Sequence, residues 1–218
     1  MLDLGCGTGA QTLHLAELTS GPVLAVDLHA PFVARLNAEI DRRGLAPRVR
    51  AQAGDMAGFE PATARFDLVW SEGALYSIGL ARALRVCHDR LRPGGYLAFT
   101  DAVWRKPDPP PEVKASFAQD YPTMGWTADV KIAVRETGFD LLDRFTLPDE
   151  AWWDDFYTPM RARIDELRAI HAGDDNAQAA LDTLAQEPEM HRRYSDTYAY
   201  VFFIARRSEE PRYAERPA

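Results

Sequence analysis

Residues Met1-Leu2-Asp3-Leu4-Gly5-Cys6-Gly7-Thr8-Gly9-Ala10 decide the fold. Leu2 to Leu4 reads as a strand, glycines follow at 5, 7 and 9, and a helical pattern runs from Ala10 to Leu18. Closely spaced glycines between a strand and a helix let a ligand approach the backbone where a side chain would collide. The helix N-terminus adds unpaired N–H groups suited to a carboxylate or a phosphate. Taken alone, this turn leaves its ligand open. Gly5, Gly7 and Ala10 also satisfy the dinucleotide pattern G-x-G-x-x-[GA], and Asp27 stands 20 residues beyond Gly7, where an acid binds ribose hydroxyls in either case.

Outward from the turn, apolar runs and helical periodicities alternate, the pattern of βαβ units and a parallel sheet. Val23 to Asp27 is the second strand, apolar almost throughout, as a strand covered on both faces should be. The next helix has Pro31 in its first turn and Gly44 past its end, with Phe32, Leu36 and Ile40 on one face. Strands are expected at Val49–Ala53, Phe66–Ser71 and Tyr96–Thr100, the last entered through Pro93-Gly94-Gly95. Between them lies a helix buried along Leu80, Leu84, Cys87 and Leu91. The rhythm then weakens into a proline-rich loop over 102–125. It resumes with a helix at Ala128–Glu136 and a strand at Phe139–Thr146, and residues 149 to about 194 read as helical. Met160, Ile164, Leu167 and His171 make a stripe there, and Pro159, Gly173 and Pro188 act as punctuation. The last strand is expected at Thr197–Ala205, with a charged tail after Arg206.

The chain has 218 residues, a length that suits one domain with a sizeable insertion. The expected core is about 1–101, 127–147 and 195–207, with insertions of about 102–126 and 149–194. At 46% hydrophobic and 27% charged residues, with no apolar run near the roughly 18 of a membrane span, the composition is that of a globule in water. The net charge of −8 argues against a partner bound through its phosphates, so no nucleic acid is expected. Two cysteines, Cys6 and Cys87, make no disulfide framework, and with no signal-peptide pattern the expected compartment is the cytoplasm. The chain opens in a strand already under way, so a covering segment upstream of Met1 is expected. A homodimer, with the partner subunit as lid, is a second way to cover the pocket.

Three features decide between the ligands of the glycine turn. Asp3 puts a carboxylate two residues before the first glycine, unhelpful beside a pyrophosphate but apt near an ammonium and a sulfonium. Gly54-Asp55-Met56 follows the third strand, with a carboxylate for an adenine amino group and a thioether for its ring. Leu91 to Leu97 supplies the turn into the fifth strand. With these in view, the sequence resembles the class I S-adenosylmethionine-dependent methyltransferases of small-molecule type, such as those of ubiquinone and menaquinone biosynthesis. The resemblance rests on LDLGCGTG (2–9), VDL (26–28), AGDM (53–56), FDLVWSEGALY (66–76) and LRPGGYLAFTD (91–101), in that order and at suitable spacing.

The resemblance implies a Rossmann-like, doubly wound α/β fold: a seven-stranded sheet with its last strand antiparallel, plus a helical insertion before that strand. It implies S-adenosyl-L-methionine as cofactor, S-adenosyl-L-homocysteine as product and a small-molecule acceptor. Gly5, Gly7 and Gly9, with Asp3, Cys6 and Thr8, would line the methionine part, and Asp27 would bind the ribose. Leu28 would pack on the adenine, with Gly54, Asp55 and Met56 at its edge, and Ser71 would be a further cofactor contact. Fourth-strand residues Ser71-Glu72-Gly73 depart from the Asn/Asp-Pro-Pro-Tyr of many nucleobase and amide methylators, which weakens a DNA or protein-glutamine substrate.

Methyl transfer from a sulfonium depends mainly on alignment, and a base is needed only where the nucleophile must lose a proton. Glu72 and Tyr76 are the catalytic candidates, because they follow the fourth strand where such sheets place their crevice. The plainer reading, a helix cap and a packing ring, stands beside that one. Asp101 is divided between a functional and a turn role. Trp104, Tyr121, Trp126, Trp152, Trp153 and Tyr157 fall in the two insertions. From these, Trp104, Tyr121, Trp152, Trp153 and Tyr157 are the substrate-binding candidates, by stacking or cation–π contact. No Cys/His/Asp spacing suggests a metal. A nicotinamide-dependent oxidoreductase and a non-catalytic cofactor-binding protein are the alternatives.

Overall fold

The structure, a computed structural model, describes residues 1–59 and 65–209. Strand β1 (Leu2–Leu4) is fully buried and takes parallel partners on both sides, β2 (Val23–Asp27) and β4 (Phe66–Ser71). Beyond β2 lies β3 (Val49–Ala53), and beyond β4 lies β5 (Leu91–Trp104), both parallel. β7 (Tyr198–Arg207) then runs antiparallel between β5 and β6 (Phe139–Thr146), giving the order β3-β2-β1-β4-β5-β7-β6. This is the seven-stranded sheet with antiparallel β7 that the resemblance implies.

The helices cover both faces. α1 (Ala10–Leu18) and α2 (Ala30–Arg42) bury Leu13, Ala16, Val33, Leu36 and Ile40 with β2 and β3 side chains. α3 (Leu80–Arg90) and α5 (Thr127–Glu136) pack Leu84, Cys87, Val130 and Val134 into the larger cluster beside Leu2, Leu4 and Phe99. At roughly 25 cal/mol per Å² of apolar surface removed from water, these clusters are the main stabilising contribution. The sheet order reverses direction between β1 and β4, and a ligand crevice opens outside the carboxyl ends at such a point.

Several expectations change. Phe32 is exposed, with its ring on His29 at 4.3 Å, and Val33 takes its place on the buried face. β5 begins at Leu91, so Pro93-Gly94-Gly95 lies inside the strand, where the register with β4 shifts between Phe66 and Leu68. The proline-rich stretch contains α4 (Pro111–Asp120), with Pro111 at a position that loses no helical hydrogen bond. The helical insertion is α6 (Asp149–Trp152), a π turn at Trp153–Tyr157, α7 (Thr158–Ile170) and α8 (Asp175–Tyr194). His171 is exposed just past α7, outside the buried stripe. Pro188 does not interrupt α8; its ring is buried, against the loss of one N–H from the ladder. The tail from residue 210 lies outside the described residues, among which no helix is long and apolar enough to cross a membrane.

One feature of β5 positions the site. Its last pair with β4 is Ser71↔Phe99, but it continues with β7 to Trp104↔Tyr198. Those residues carry the β5–β7 wall roughly 16 Å past β4, at about 3.3 Å per residue, and from Ala102 on it also outruns β6, whose last pair with β7 is Thr146↔Val201.

Candidate active site

The turn after β1 is held by backbone. The Gly5 and Cys6 N–H groups both donate to the Val26 carbonyl, at 2.8 and 3.1 Å. Gly5, Gly7 and Gly9 all have positive φ, but the three serve different ends. A Cβ at Gly5 would sit 2.2 Å from the Ala74 Cβ, and one at Gly9 would sit 2.1 Å from Leu36 Cδ1, so packing demands those glycines. A Cβ at Gly7 would meet nothing within 4 Å. The turn is thus closed against the protein on both sides of Gly7 and open at Gly7 itself, a cradle for a ligand lying against backbone. Cys6 takes no part with its side chain: it is buried, and burial pushes its thiol up to about 12.

At the end of β2, the Gly7 N–H donates to Asp27 Oδ2 and the His29 N–H to Oδ1, each at 2.8 Å. The carboxylate is therefore fixed from behind, with one lone pair on each oxygen left for a second donor. That suits a vicinal diol, whose two hydroxyls present one donor each. Leu28, immediately beyond, is 76% exposed. Met56 is half-buried, and its Cε would lie 3.4 Å from a Cβ at Gly5. Asp55 is exposed and accepts the Ala57 N–H at 2.8 Å, while the Gly54 N–H donates to the Asp27 carbonyl. The Asp27↔Ala53 pairing and the Gly54–Asp27 bond thus set the loop that carries Asp55 and Met56 beside the end of β2.

Beneath the turn, Asp3 is 2% exposed and accepts the Thr12 hydroxyl at 2.5 Å. Burial raises its pKa to about 7 against that hydrogen bond, with smaller contributions from Glu72 and Asp27. A buried carboxylate in this state is stabilised by a cation and opposed by an anion. Ser71 is placed differently from expectation: it is fully buried, and its hydroxyl donates to the Leu4 carbonyl at 2.7 Å, tying β4 to β1. Glu72 turns toward the crevice, accepts Trp70 Nε1–H at 2.8 Å and is raised by burial. The Gly73 N–H donates to Thr100 Oγ1 at 2.8 Å, which docks this loop on the β5 wall.

Next to Glu72 a cavity of about 1280 Å³ opens, bounded by the β5–β7 wall and by α4, α6, the π turn and α8. Glu72, Tyr76, Tyr121, Trp152 and Tyr157 line it, so five of the sequence candidates converge there. Trp104 does not. Its Nε1–H donates to the Met124 carbonyl at 3.0 Å and its ring meets Phe117, because residue 104 sits at the far end of the wall. Trp153 is absent from the lining too; the π turn rotates it onto Tyr157 and under the Arg192 guanidinium. Tyr121 donates to Asp101 Oδ2 at 2.9 Å, which places Asp101 behind the wall rather than at the turn.

Residues that sequence reasoning missed complete the lining. Tyr198 and Tyr200 alternate with core positions on β7, and Ala102 opposite Tyr200 leaves room for the ring. Glu187 of α8 accepts the Tyr157 hydroxyl at 3.3 Å. Behind Tyr198, buried His191 joins the Tyr198 hydroxyl (Nδ1, 2.9 Å) to Asp149 (Nε2, 2.8 Å). The aromatic alternation of β7 was the available signal; nothing local marks Glu187. Among the described residues no group of three or more His, Cys, Asp or Glu is placed to hold a metal ion.

A doubly wound sheet with an open glycine turn and an anchored acid after β2 is a nucleotide-binding arrangement. Comparisons narrow it. A family described as a methyltransferase domain matches residues 1–95. The uncharacterized methyltransferase YodH of Bacillus subtilis is 31% identical over 206 residues, 94% of this chain and 83% of its own length. Trans-aconitate 2-methyltransferase of Deinococcus radiodurans is 36% identical over 100 residues, 45% of this chain and 36% of that protein. A solved S-adenosylmethionine-dependent methyltransferase from Geobacter sulfurreducens, in complex with S-adenosyl-L-homocysteine, superposes with a TM-score of 0.80 at 19% identity, covering 94% of this chain and 82% of that one. The chain spans about a third to a half of the length of several curated relatives it matches. This chain belongs to the methyltransferase family.

Proposed function

We propose that the chain transfers a methyl group from S-adenosyl-L-methionine to a small-molecule acceptor held in the cavity beside Glu72. The observation that carries this reading is the Gly7–Asp27 cradle: open backbone at Gly7, with Asp27 fixed by two N–H donors. The residues present fit the group. Asp27 would take the ribose hydroxyls and Leu28 the adenine face, with Gly54, Asp55 and Met56 at its edge. Gly5, Cys6, Gly7, Thr8 and Gly9 would pass backbone along the amino-acid part, and Asp3 would supply the negative charge beneath it. Ser71 would act through the strand ends it ties together. S-adenosylmethionine, when bound, supplies an activated methyl group on a sulfonium.

What remains for this chain is alignment and exclusion of water. The β5–β7 wall and the insertion helices would enclose the acceptor, with Glu72 at the junction of cradle and cavity. A carboxyl raised by burial there suits it to hold a proton leaving the acceptor, and Tyr76 faces the same space. A nicotinamide dinucleotide fits less well, since its pyrophosphate would lie against Asp3. The free, buried thiols of Cys6 and Cys87 accord with a reducing compartment, and we place the protein in the cytoplasm. Calorimetric titration with S-adenosylhomocysteine, NAD and NADP tests the reading: binding of the first alone is expected, and binding of a dinucleotide instead would overturn it.

A further inference from the structure

The cavity's charge indicates what it holds. Glu72, Glu112, Asp120, Asp182, Glu187 and Glu189 border it, against one guanidinium, that of Arg193, which is already paired with Glu189 at 3.4 Å. Rim carboxylates are ordinarily solvated, so the charge balance by itself assigns nothing. The floor is different. Glu187 is half-buried and accepts one hydrogen bond, from Tyr157. Tyr76, Tyr157, Tyr198 and Tyr200 line the same cavity as that carboxylate, and burial raises all four phenols and Glu187 itself. Trp152 belongs to the same packed aromatic wall: its ring stacks on Tyr157 at 5.6 Å and 16°, stands edge-on to Tyr200 at 4.9 Å and 83°, and meets the His191 ring at 4.6 Å.

Behind the same wall Asp101 is 2% exposed. Tyr121 serves its Oδ2, while its Oδ1 has no hydrogen-bond partner among the described residues. His191 has no ring donor left for the cavity, because both its nitrogens are taken by Tyr198 and Asp149. A half-buried carboxylate with one donor on the cavity lining, among aromatic side chains and with a second buried carboxylate behind the wall, favours a positive ligand and opposes a negative one.

We propose that the acceptor is an organic cation, its ammonium seated against Glu187 in the cavity whose aromatic wall is formed by Trp152, Tyr157, Tyr198 and Tyr200. This rests on the reading of the cavity as a methyltransferase acceptor site. It separates this chain from a tricarboxylate acceptor such as trans-aconitate, which would meet one paired guanidinium among six carboxylates.

The test is a binding comparison on the full chain, with and without S-adenosylhomocysteine, by calorimetry and tryptophan fluorescence. The probes are benzyltrimethylammonium, 2-phenylethanol and 3-phenylpropanoate, which share a phenyl body and differ in charge. The cation should bind at least tenfold tighter than either of the others. Glu187→Gln should weaken the cation about tenfold and leave 2-phenylethanol unchanged. Equal or tighter binding of the alcohol or the anion, no binding of the cation at millimolar concentration, or an undiminished preference in folded E187Q would each overturn the proposal. Should E187Q fail to fold, the ranking of the three probes on the unaltered chain decides alone. Binding of S-adenosylhomocysteine without a cation preference would sink this inference only, whereas absence of that binding would sink the parent reading.

Discussion

The two halves of the site are built by opposite means. The cofactor cradle is made of backbone, from residues close together in the chain: one turn, one strand end and the loop after β3. The acceptor cavity is made of side chains drawn from Gln11 to Tyr200, most of them brought together by the long β5–β7 wall and three insertion helices. Backbone recognition tolerates few residue types at its contact points, because any side chain collides. A side-chain cavity can be relined by substitution while the sheet stays as it is. The cradle therefore speaks for the family, and the cavity for this chain.

Each half hides one buried carboxylate, and pH separates the folded protein from the unfolded through both. Burial raises Asp3 and Asp101 from 3.8 to about 7. Between those values the folded chain keeps protons that the unfolded chain releases. Stability of the ligand-free protein should therefore be full below about pH 4 as far as these groups are concerned, and should fall as pH rises toward 7, by on the order of a few kcal/mol for each group. Denaturant titrations from pH 4.5 to 8 measure this. The slope should flatten in Asp3→Asn, and a stability that climbs steadily over this range would break the assignment.

The sharpest test of the cradle is Gly7→Val. Its φ of +54° disfavours a branched side chain, and the side chain would occupy open space that the ligand needs. Affinity for S-adenosylhomocysteine should drop roughly a hundredfold or more, about 2.8 kcal/mol, while benzyltrimethylammonium still binds the cavity. Loss of both ligands in a folded variant would mean that the halves are not independent.

Asp27→Ala comes next. Charge-assisted bonds of the kind expected with ribose hydroxyls contribute roughly 1.5–3 kcal/mol, so the same titration should show a loss of about tenfold or more. Unchanged affinity would remove Asp27 from the cradle.

Tyr121→Phe probes the other half. It takes away the one side-chain donor to Asp101 among the described residues and should cost about 1–3 kcal/mol of stability, more at high pH where the carboxylate is ionised. Cofactor affinity should not move. Ser71→Ala should have the smallest effect, about 1 kcal/mol, as it loses a single bond to the Leu4 carbonyl. Equal damage from both would mean that the wall and the strand ends are one unit.

The cradle was legible because its determinants are local. Gly5, Gly7, Gly9, Asp27 and Asp55 follow strands whose ends are visible as apolar runs, and a parallel βαβ chain leaves those ends little freedom in space. The same logic carried the parallel part of the sheet, whereas the antiparallel last strand was implied only by the family resemblance. What it could not show was which of the glycines packs against Ala74 or Leu36 and which stays open, since that depends on partners 27 to 69 residues away.

The cavity was legible only as an inventory. Aromatics in two insertions marked a substrate region, yet Trp104 and Trp153 turned away while Tyr198, Tyr200 and Glu187 turned in. Their directions follow from where β5 outruns β4 and from the π turn that rotates Trp153 onto Tyr157. The sequence by itself determined the order of the elements and the backbone cradle, because short-range sterics and hydrophobic periodicity act over a few residues. Only the tertiary structure decided the walls of the cavity and its charge, because strand register and helix rotation are set by packing among residues far apart in the chain.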